Sequence, residues 1–268
     1  MIHLTINLEQ EDPRSVVGKE KQRGALSSIK GTEKLLSLLK KYNAKATFFV
    51  SAFFAEHHLE TVRKIISHGH EVACHGYSYF YKGLDKVGLR EDIEKAKQIL
   101  EEKCKVTIRG FRAPQLLYLP EITESLEKAG FLYDSTLQSS WLPGKHNHKL
   151  APLKPFYPLR AGPFLEVPIS GSPLLRLPLD APMMRTFGSY WLIKSCRRLR
   201  KEKINPVLSL NSWEFHPADG NELSSSDPQN TDSKLLLILE KLLQTFPAQE
   251  FTTITEALPA VPKYEALK

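Results

Sequence analysis

The strongest constraint on this chain is a repeated switch in apolar spacing between the period of a strand and the period of a helix. MIHLTINL (1–8) places Ile2, Leu4, Ile6 and Leu8 at alternate positions, as in a half-buried strand. TEKLLSLLKKYN (32–43) then gathers Leu35, Leu36, Leu38 and Leu39 on one broad face behind a candidate cap at Thr32, which predicts a helix. The exchange recurs with a strand in KATFFVS (45–51), a helix over 56–70 ending near Gly69, and a short strand in EVACH (71–75). A helix over 90–103 follows, with Ile93, Ala96, Ile99 and Leu100 as its stripe. TIRGFRAP (107–114) reads as strand into loop, 120–130 as a helix opened by Pro and closed by Gly, and FLYDSTL (131–137) as strand and exit loop. The rhythm pauses over 138–187, a proline-rich stretch of long loops with a short strand in FLEVPI (164–169), the kind of segment that builds substrate surface. It resumes with a helix over 189–203, a strand over 206–215, a polar loop over 218–233, a helix over 234–246 and a final strand in EFTTIT (250–255). About seven β-then-α units without a composition break predict a single α/β domain over 1–268, with parallel strands either doubly wound or closed into a barrel. Both architectures place active residues at the carboxyl ends of strands, where Asn7, Glu9, His75, Arg112, Asp134, Asn211 and Glu214 fall.

Composition narrows the function classes. An excess of 37 Lys+Arg over 30 Asp+Glu gives a mild net charge of +7, and the one basic run, CRRLRKEK (196–203), reads as a solvated helix face. No nucleic-acid partner is expected. Cys74, Cys104 and Cys196 form no CxxC pattern, so neither a disulfide framework nor a structural zinc site is indicated. Cys74 directly precedes His75, but strand alternation points neighbours to opposite faces, which argues against a cysteine nucleophile. No GxSxG or Walker sequence is present. MIHLTINLEQ lacks a basic n-region and apolar core, and no apolar run reaches the roughly 18 residues of a span. The expectation is a cytoplasmic protein with no integral membrane segment.

The chemistry concentrates in HEVACHGYSY (70–79). His75 stands four residues before Tyr79, and a second imidazole there would complete a pair of zinc ligands. The order of strand-end motifs resembles the polysaccharide deacetylase family, also called the NodB-homology domain or carbohydrate esterase family 4. LTINLEQED is similar to its first motif, GHEVACHGYSY to its second, RGFRAP to its third and YDST to the aromatic-Asp-Ser step that follows. LPGKHNHKLAP resembles a loop common in sugar-deacetylase-like members, and LSLNSWEF resembles the last motif. The resemblance covers nearly the whole chain and implies a distorted (β/α) barrel of about seven parallel strands. It further implies a divalent metal, often zinc, held by one carboxylate and two histidines, with an aspartate as general base and a last-motif histidine as general acid. The third-motif arginine would orient the base, and backbone N–H groups after it would help hold the oxyanion.

Set against that pattern, the base position is Asn7 and the acid position is Asn211, and neither amide titrates near neutral pH. Glu9 and His75 stand at two metal-ligand positions, while the third is Tyr79, a poor ligand as a neutral phenol. Gln138 stands where many relatives carry histidine. Arg112 remains at its catalytic position. Tyr79, Pro114, Asp134, Trp213 and Glu214 are read as substrate-binding positions that shape the site without running its chemistry. Candidates for rewiring are His70, His146, His148 and His216, each also readable as a surface or structural histidine; His57 and His58 are expected to be exposed, far from the strand ends. A Glu9–Glu214 carboxylate pair is a further possibility. The expected function is a deacetylase-like protein with degenerate metal and acid/base residues, inactive, binding an N-acetylated sugar or polysaccharide or pairing with an active deacetylase relative. A metal is expected to bind weakly or not at all. The alternatives are an active carbohydrate N-deacetylase with rewired ligands, and a structural or assembly subunit.

Overall fold

The computed structural model of the chain describes residues 1–9, 19–77, 85–142, 146–158, 163–216 and 232–259. Its strands are β1 (His3–Leu8), β2 (Thr47–Val50), β3 (Glu71–Cys74), β4 (Gly110–Phe111), β5 (Tyr133–Asp134), β6 (Gln138–Ser139), β7 (Trp141–Leu142), β8 (His146–Asn147), β9 (Leu165–Glu166), β10 (Ile169–Ser170) and β11 (Val207–Asn211). Seven of them form one parallel sheet in the order β11-β1-β2-β3-β4-β5-β9. The helices are α1 (Lys19–Lys41), α2 (Ala52–His57), α3 (Leu59–Ser67), α4 (Lys86–Cys104), α5 (Thr123–Lys128), α6 (Ala181–Lys201), α7 (Asp232–Thr245) and α8 (Ile254–Ala257).

Strands buried on both faces explain the apolar runs of the sequence. Ile6, Leu8, Phe48, Val50, Val72 and Cys74 pack in the larger core with residues of the helices, while Phe49, Ala73, Tyr133, Leu165 and Val207 form a second cluster on the opposite face. The sheet curls, and the segment after β5 spans the gap between its outer strands. There β10 pairs with β6, the Ser170 hydroxyl accepts the Val207 N–H at 3.0 Å, and the Ser209 N–H donates to the Leu179 carbonyl. The result is the open, distorted barrel of seven parallel strands that the motif order implied.

Register positions the site. One rung of the ladder runs Leu8, Val50, Cys74, Phe111, Asp134, Glu166, and Asn7 sits opposite Asn211. The residues one step past that rung are Glu9, His75, Arg112 and Ser135, so motifs spread from residue 9 to residue 135 meet on one rim.

Four expected elements differ. The first helix starts at Lys19, not at a Thr32 cap; Thr32 lies inside it and returns its hydroxyl to the Ser28 carbonyl at 2.7 Å. The helix expected over 56–70 is two, capped by Ser51 and broken at His58, whose φ of −135° is not helical. Gly69, with φ +77°, does close the second. The strand expected over 206–215 ends at Asn211, where a 3₁₀ turn takes over. The final strand shrinks to a bridge between Ile2 and Phe251, because Thr253 and Glu256 form a capping box that starts α8. The polar loop expected over 218–233 falls mostly outside the described residues.

Candidate functional site

Arg112 is the centre of the rim. It is fully buried just past β4, and its described hydrogen-bond partners are all neutral. Nε donates to the Ser135 carbonyl at 2.8 Å and Nη2 to the Ser135 hydroxyl at 3.0 Å, while Nη1 donates to Thr5 Oγ1 at 2.8 Å and to Asn7 Oδ1 at 3.0 Å. The guanidinium also stacks 4.0 Å from the Phe49 ring centre. Burial pulls its pKa down to about 9, which still leaves it cationic at neutral pH.

Asn7 turns its other end to the neighbouring strand, where Nδ2 donates to Asn211 Oδ1 at 3.1 Å. The Asn211 side chain also accepts the backbone N–H of Glu214, and the Glu214 carboxylate accepts the Asn211 N–H at 2.8 Å, a capping box that opens the Ser212–Phe215 turn. Asn7, Asn211 and Arg112 therefore form one chain of hydrogen bonds that runs from a fixed cation to a fixed cap. Gly31 lets α1 press against this turn, since a Cβ there would lie 1.9 Å from the Ser212 carbonyl oxygen.

Beside this chain, Glu9 and His75 face each other. His75 Nδ1 lies 2.7 Å from the Arg112 carbonyl, which only accepts, so Nδ1 carries the proton. Nε2, buried and without a hydrogen-bond partner, lies 3.4 Å from Glu9 Oε2. In a neutral ring that places a bare nitrogen lone pair against a carboxylate. Donors of a tetrahedral zinc ion with bonds near 2.0–2.2 Å stand roughly 3.3–3.5 Å apart, so the pair fits two corners of such a site. The backbone acceptor behind His75 fixes its tautomer as metal-ligating imidazoles require. Among the described residues no group of three His, Cys, Asp or Glu could hold a metal, and Glu9 and His75 are two donors that the structure places together. Tyr79 lies outside the described residues.

A buried carboxyl pair lies on the far side of Arg112. Asp134 and Glu166 are opposite each other in register, Thr136 donates to Asp134, and the Leu137 N–H donates to Glu166 at 3.0 Å. Burial raises both acids, Asp134 to about 6 and Glu166 well above its usual value, with the Asp134 charge adding to the rise at Glu166. Ionisation of either acid therefore opposes that of the other, and both lie in the field of Arg112. Glu166 was not singled out in the sequence. FLEVPI carries no chemical signature, and only the strand order brings it beside Asp134.

The remaining candidates separate. Asp134, read as substrate-binding, lies in this internal pair. Glu214, also read as substrate-binding, caps the turn and lies 3.5 Å from Arg185 Nη1, and no described contact pairs it with Glu9. Pro114 is buried and begins a 3₁₀ turn in which Gln115 and Leu116 hold positive φ, and Trp213 is half-buried on the turn after Asn211. The Ala113 N–H, an oxyanion candidate after Arg112, is engaged by Thr136 Oγ1 at 2.8 Å. Gln138 is half-buried in β6, His148 is exposed, His57 is exposed and His58 half-buried. His70, buried at the opposite end of β3, has neither ring nitrogen hydrogen-bonded. The His146 side chain lies outside the described residues. Cys74 is fully buried and its thiol is pushed up to about 12, which removes it as a nucleophile.

A parallel, curled β/α sheet with a carboxylate, an imidazole and a buried arginine on its carboxyl rim defines the class as an open (β/α) barrel of the NodB-like type. Residues 27–133 match the family model described as polysaccharide deacetylase. A peptidoglycan deacetylase of Helicobacter pylori is 32% identical over 116 residues, 43% of this chain and 40% of that relative, so the match spans less than half of the relative's length. A crystal structure of a putative polysaccharide deacetylase from Mycobacterium smegmatis superposes with a TM-score of 0.64 at 22% identity, covering 97% of this chain and 94% of the other. A carbohydrate esterase family 4 pseudoenzyme from Bacillus anthracis superposes with a TM-score of 0.53 at 17% identity, covering 96% and 64%.

Proposed function

We propose that this protein binds N-acetylated sugar polymers in a deacetylase-type rim whose hydrolytic chemistry has been replaced by fixed hydrogen bonds. The observation that carries the reading is the Arg112–Asn7–Asn211 chain, in which both acid/base positions are amides held by neighbours on each side. An amide at Asn7 cannot take a proton from water, and an amide at Asn211 cannot give one to a departing amine. Both can still donate to and accept from sugar hydroxyl and acetamide groups. The family acts on N-acetylated sugars and includes a protein described as a pseudoenzyme, which supports a retained fold with altered chemistry.

A divalent metal would be held by Glu9 and His75, and when bound it would polarise an acetamide carbonyl. Two protein donors make that binding weak. The Glu9–His75 pair also favours a second reading, an active N-deacetylase with a rewired third ligand. Calorimetry with N-acetylglucosamine oligomers, run beside an acetate-release assay with and without added zinc, tests both. Binding without acetate release is expected. Metal-dependent release at catalytic turnover would overturn the first reading in favour of the second, and neither binding nor release would overturn both.

A further inference from the structure

The end of the barrel away from the rim carries a surface that the sugar site does not use. Gly171 pairs antiparallel with Pro178, and Asp180 pairs parallel with Ser209 of β11. The chain therefore descends before residue 172 and climbs after 177, which places the intervening turn at the amino-terminal end of the strands. On that turn Leu174 and Leu175 are 75% and 65% exposed, and nearby Leu150 is 90% exposed. Arg176 joins these loops: Nη1 donates to the Ala151 carbonyl at 3.3 Å, and its own carbonyl accepts the N–H of Trp141, itself 39% exposed. Arg176 also lies in the field of Glu202, at the end of α6. That helix end precedes β11 and so lies at the same end of the barrel.

The last two turns of α6 are basic and exposed at Lys194, Arg197, Arg198 and Lys201. Glu202, the acidic residue among them, is 3.6 Å from Arg198. Exposed lysines at 149 and 154 flank the leucine loops. Leucines projecting from turn tips, an adjacent tryptophan and a cationic surround match an interfacial lipid-binding surface. A flat acidic protein would complement the cations but would leave projecting leucines without the deep apolar medium that rewards them.

We propose that this face docks on an anionic lipid bilayer, with Leu174, Leu175 and Leu150 entering the headgroup boundary and the α6 cations meeting lipid phosphates. The rim with Asn7 and His75, at the other end of the barrel, then stays open to solvent. Co-sedimentation of the intact protein with vesicles of phosphatidylglycerol, or of phosphatidylcholine alone, tests this. Binding to the former, lost in the latter and weakened by salt, is expected. L174S/L175S and R197E/K201E should each lower partitioning by roughly tenfold or more while leaving circular dichroism and sugar binding unchanged. No binding to anionic vesicles refutes the proposal. If the leucine variant binds like the parent, or if soluble polyglutamate displaces the protein equally from both, the surface is a site for an acidic polymer and the bilayer proposal falls.

Discussion

Asn7 and Asn211 are coupled strongly enough to be measured. Replacing Asn7 by Asp turns the amide acceptor of cationic Arg112 Nη1, now at 3.0 Å, into a carboxylate, so a charge-assisted hydrogen bond becomes an ion pair. That gains about 1 kcal/mol once the cost of burying the new charge is set against it. The same change sets a carboxylate oxygen 3.1 Å from Asn211 Oδ1, an acceptor facing an acceptor. Asn211 must then flip its amide and surrender the Glu214 N–H cap, or keep the repulsive contact; either costs about 1 kcal/mol. Asn7→Asp alone is therefore expected to change stability by less than about 1 kcal/mol. Asn211→His alone removes the cap acceptor and leaves Asn7 Nδ2 buried without its partner, a loss of about 2–3 kcal/mol. Together, an imidazole N–H meets a carboxylate, and the double variant should lie at least about 1.5 kcal/mol above the sum of the singles. Urea unfolding of the four proteins at neutral pH measures that coupling. Additivity within about 0.5 kcal/mol would refute the hydrogen-bond chain as the link between the two positions.

Other consequences are open to simpler measurements. His70→Leu should stabilise the protein by about 1–2 kcal/mol in denaturant titration, since both ring nitrogens lack hydrogen bonds. The sign with pH follows from burial, which lowers His70 and His3 to about 4. The unfolded chain binds those protons first, so stability should fall as pH drops from about 6.5 towards 4, and His70→Leu should flatten part of that fall. All three cysteines are buried with thiols pushed up to between about 11 and about 12, so a thiol reagent should label the native protein slowly and the unfolded protein fully. Gly31→Ala should cost more than about 2 kcal/mol in thermal unfolding, because its Cβ meets rigid backbone at Ser212. Asp134→Asn and Glu166→Gln should each cost about 1 kcal/mol in denaturant titration, since the remaining acid still supplies a negative charge near buried Arg112, whereas the double variant, which removes both, should cost about 3–5 kcal/mol.

The fold was legible because its signals are repeated. Alternation in MIHLTINL and the leucine face of 32–43 each report burial, and seven such exchanges specify a parallel sheet. Element ends were less legible, since they depend on single contacts. Thr32 looks like a cap but sits mid-helix because the preceding residues also favour helix, and TITE reads as strand until Thr253 and Glu256 are seen to cap each other. The site was half legible. Glu9, His75, Asn7, Arg112 and Asn211 follow from strand ends, and the structure brings them together. The commitments of Asp134 and Glu214 do not follow, because whether a carboxylate faces a ligand or a neighbouring backbone N–H is decided by tertiary partners that leave no local pattern.

The amide at position 7 has a consequence for charge that reaches beyond hydrogen bonding. A buried guanidinium needs a compensating negative charge, and a carboxylate in contact is the usual source. Here the contacting groups are two hydroxyls, an amide and a carbonyl. The negative charge near it comes instead from the Asp134–Glu166 pair, in which burial and each acid's charge oppose ionisation of the other. Arg112 is thus fixed in place by neutral groups and balanced from behind, away from the rim. The arginine orders Asn7 and, through its carbonyl, His75. Among the described residues its hydrogen bonds go to neutral groups, so its place at the rim is kept by interactions that need no titratable partner.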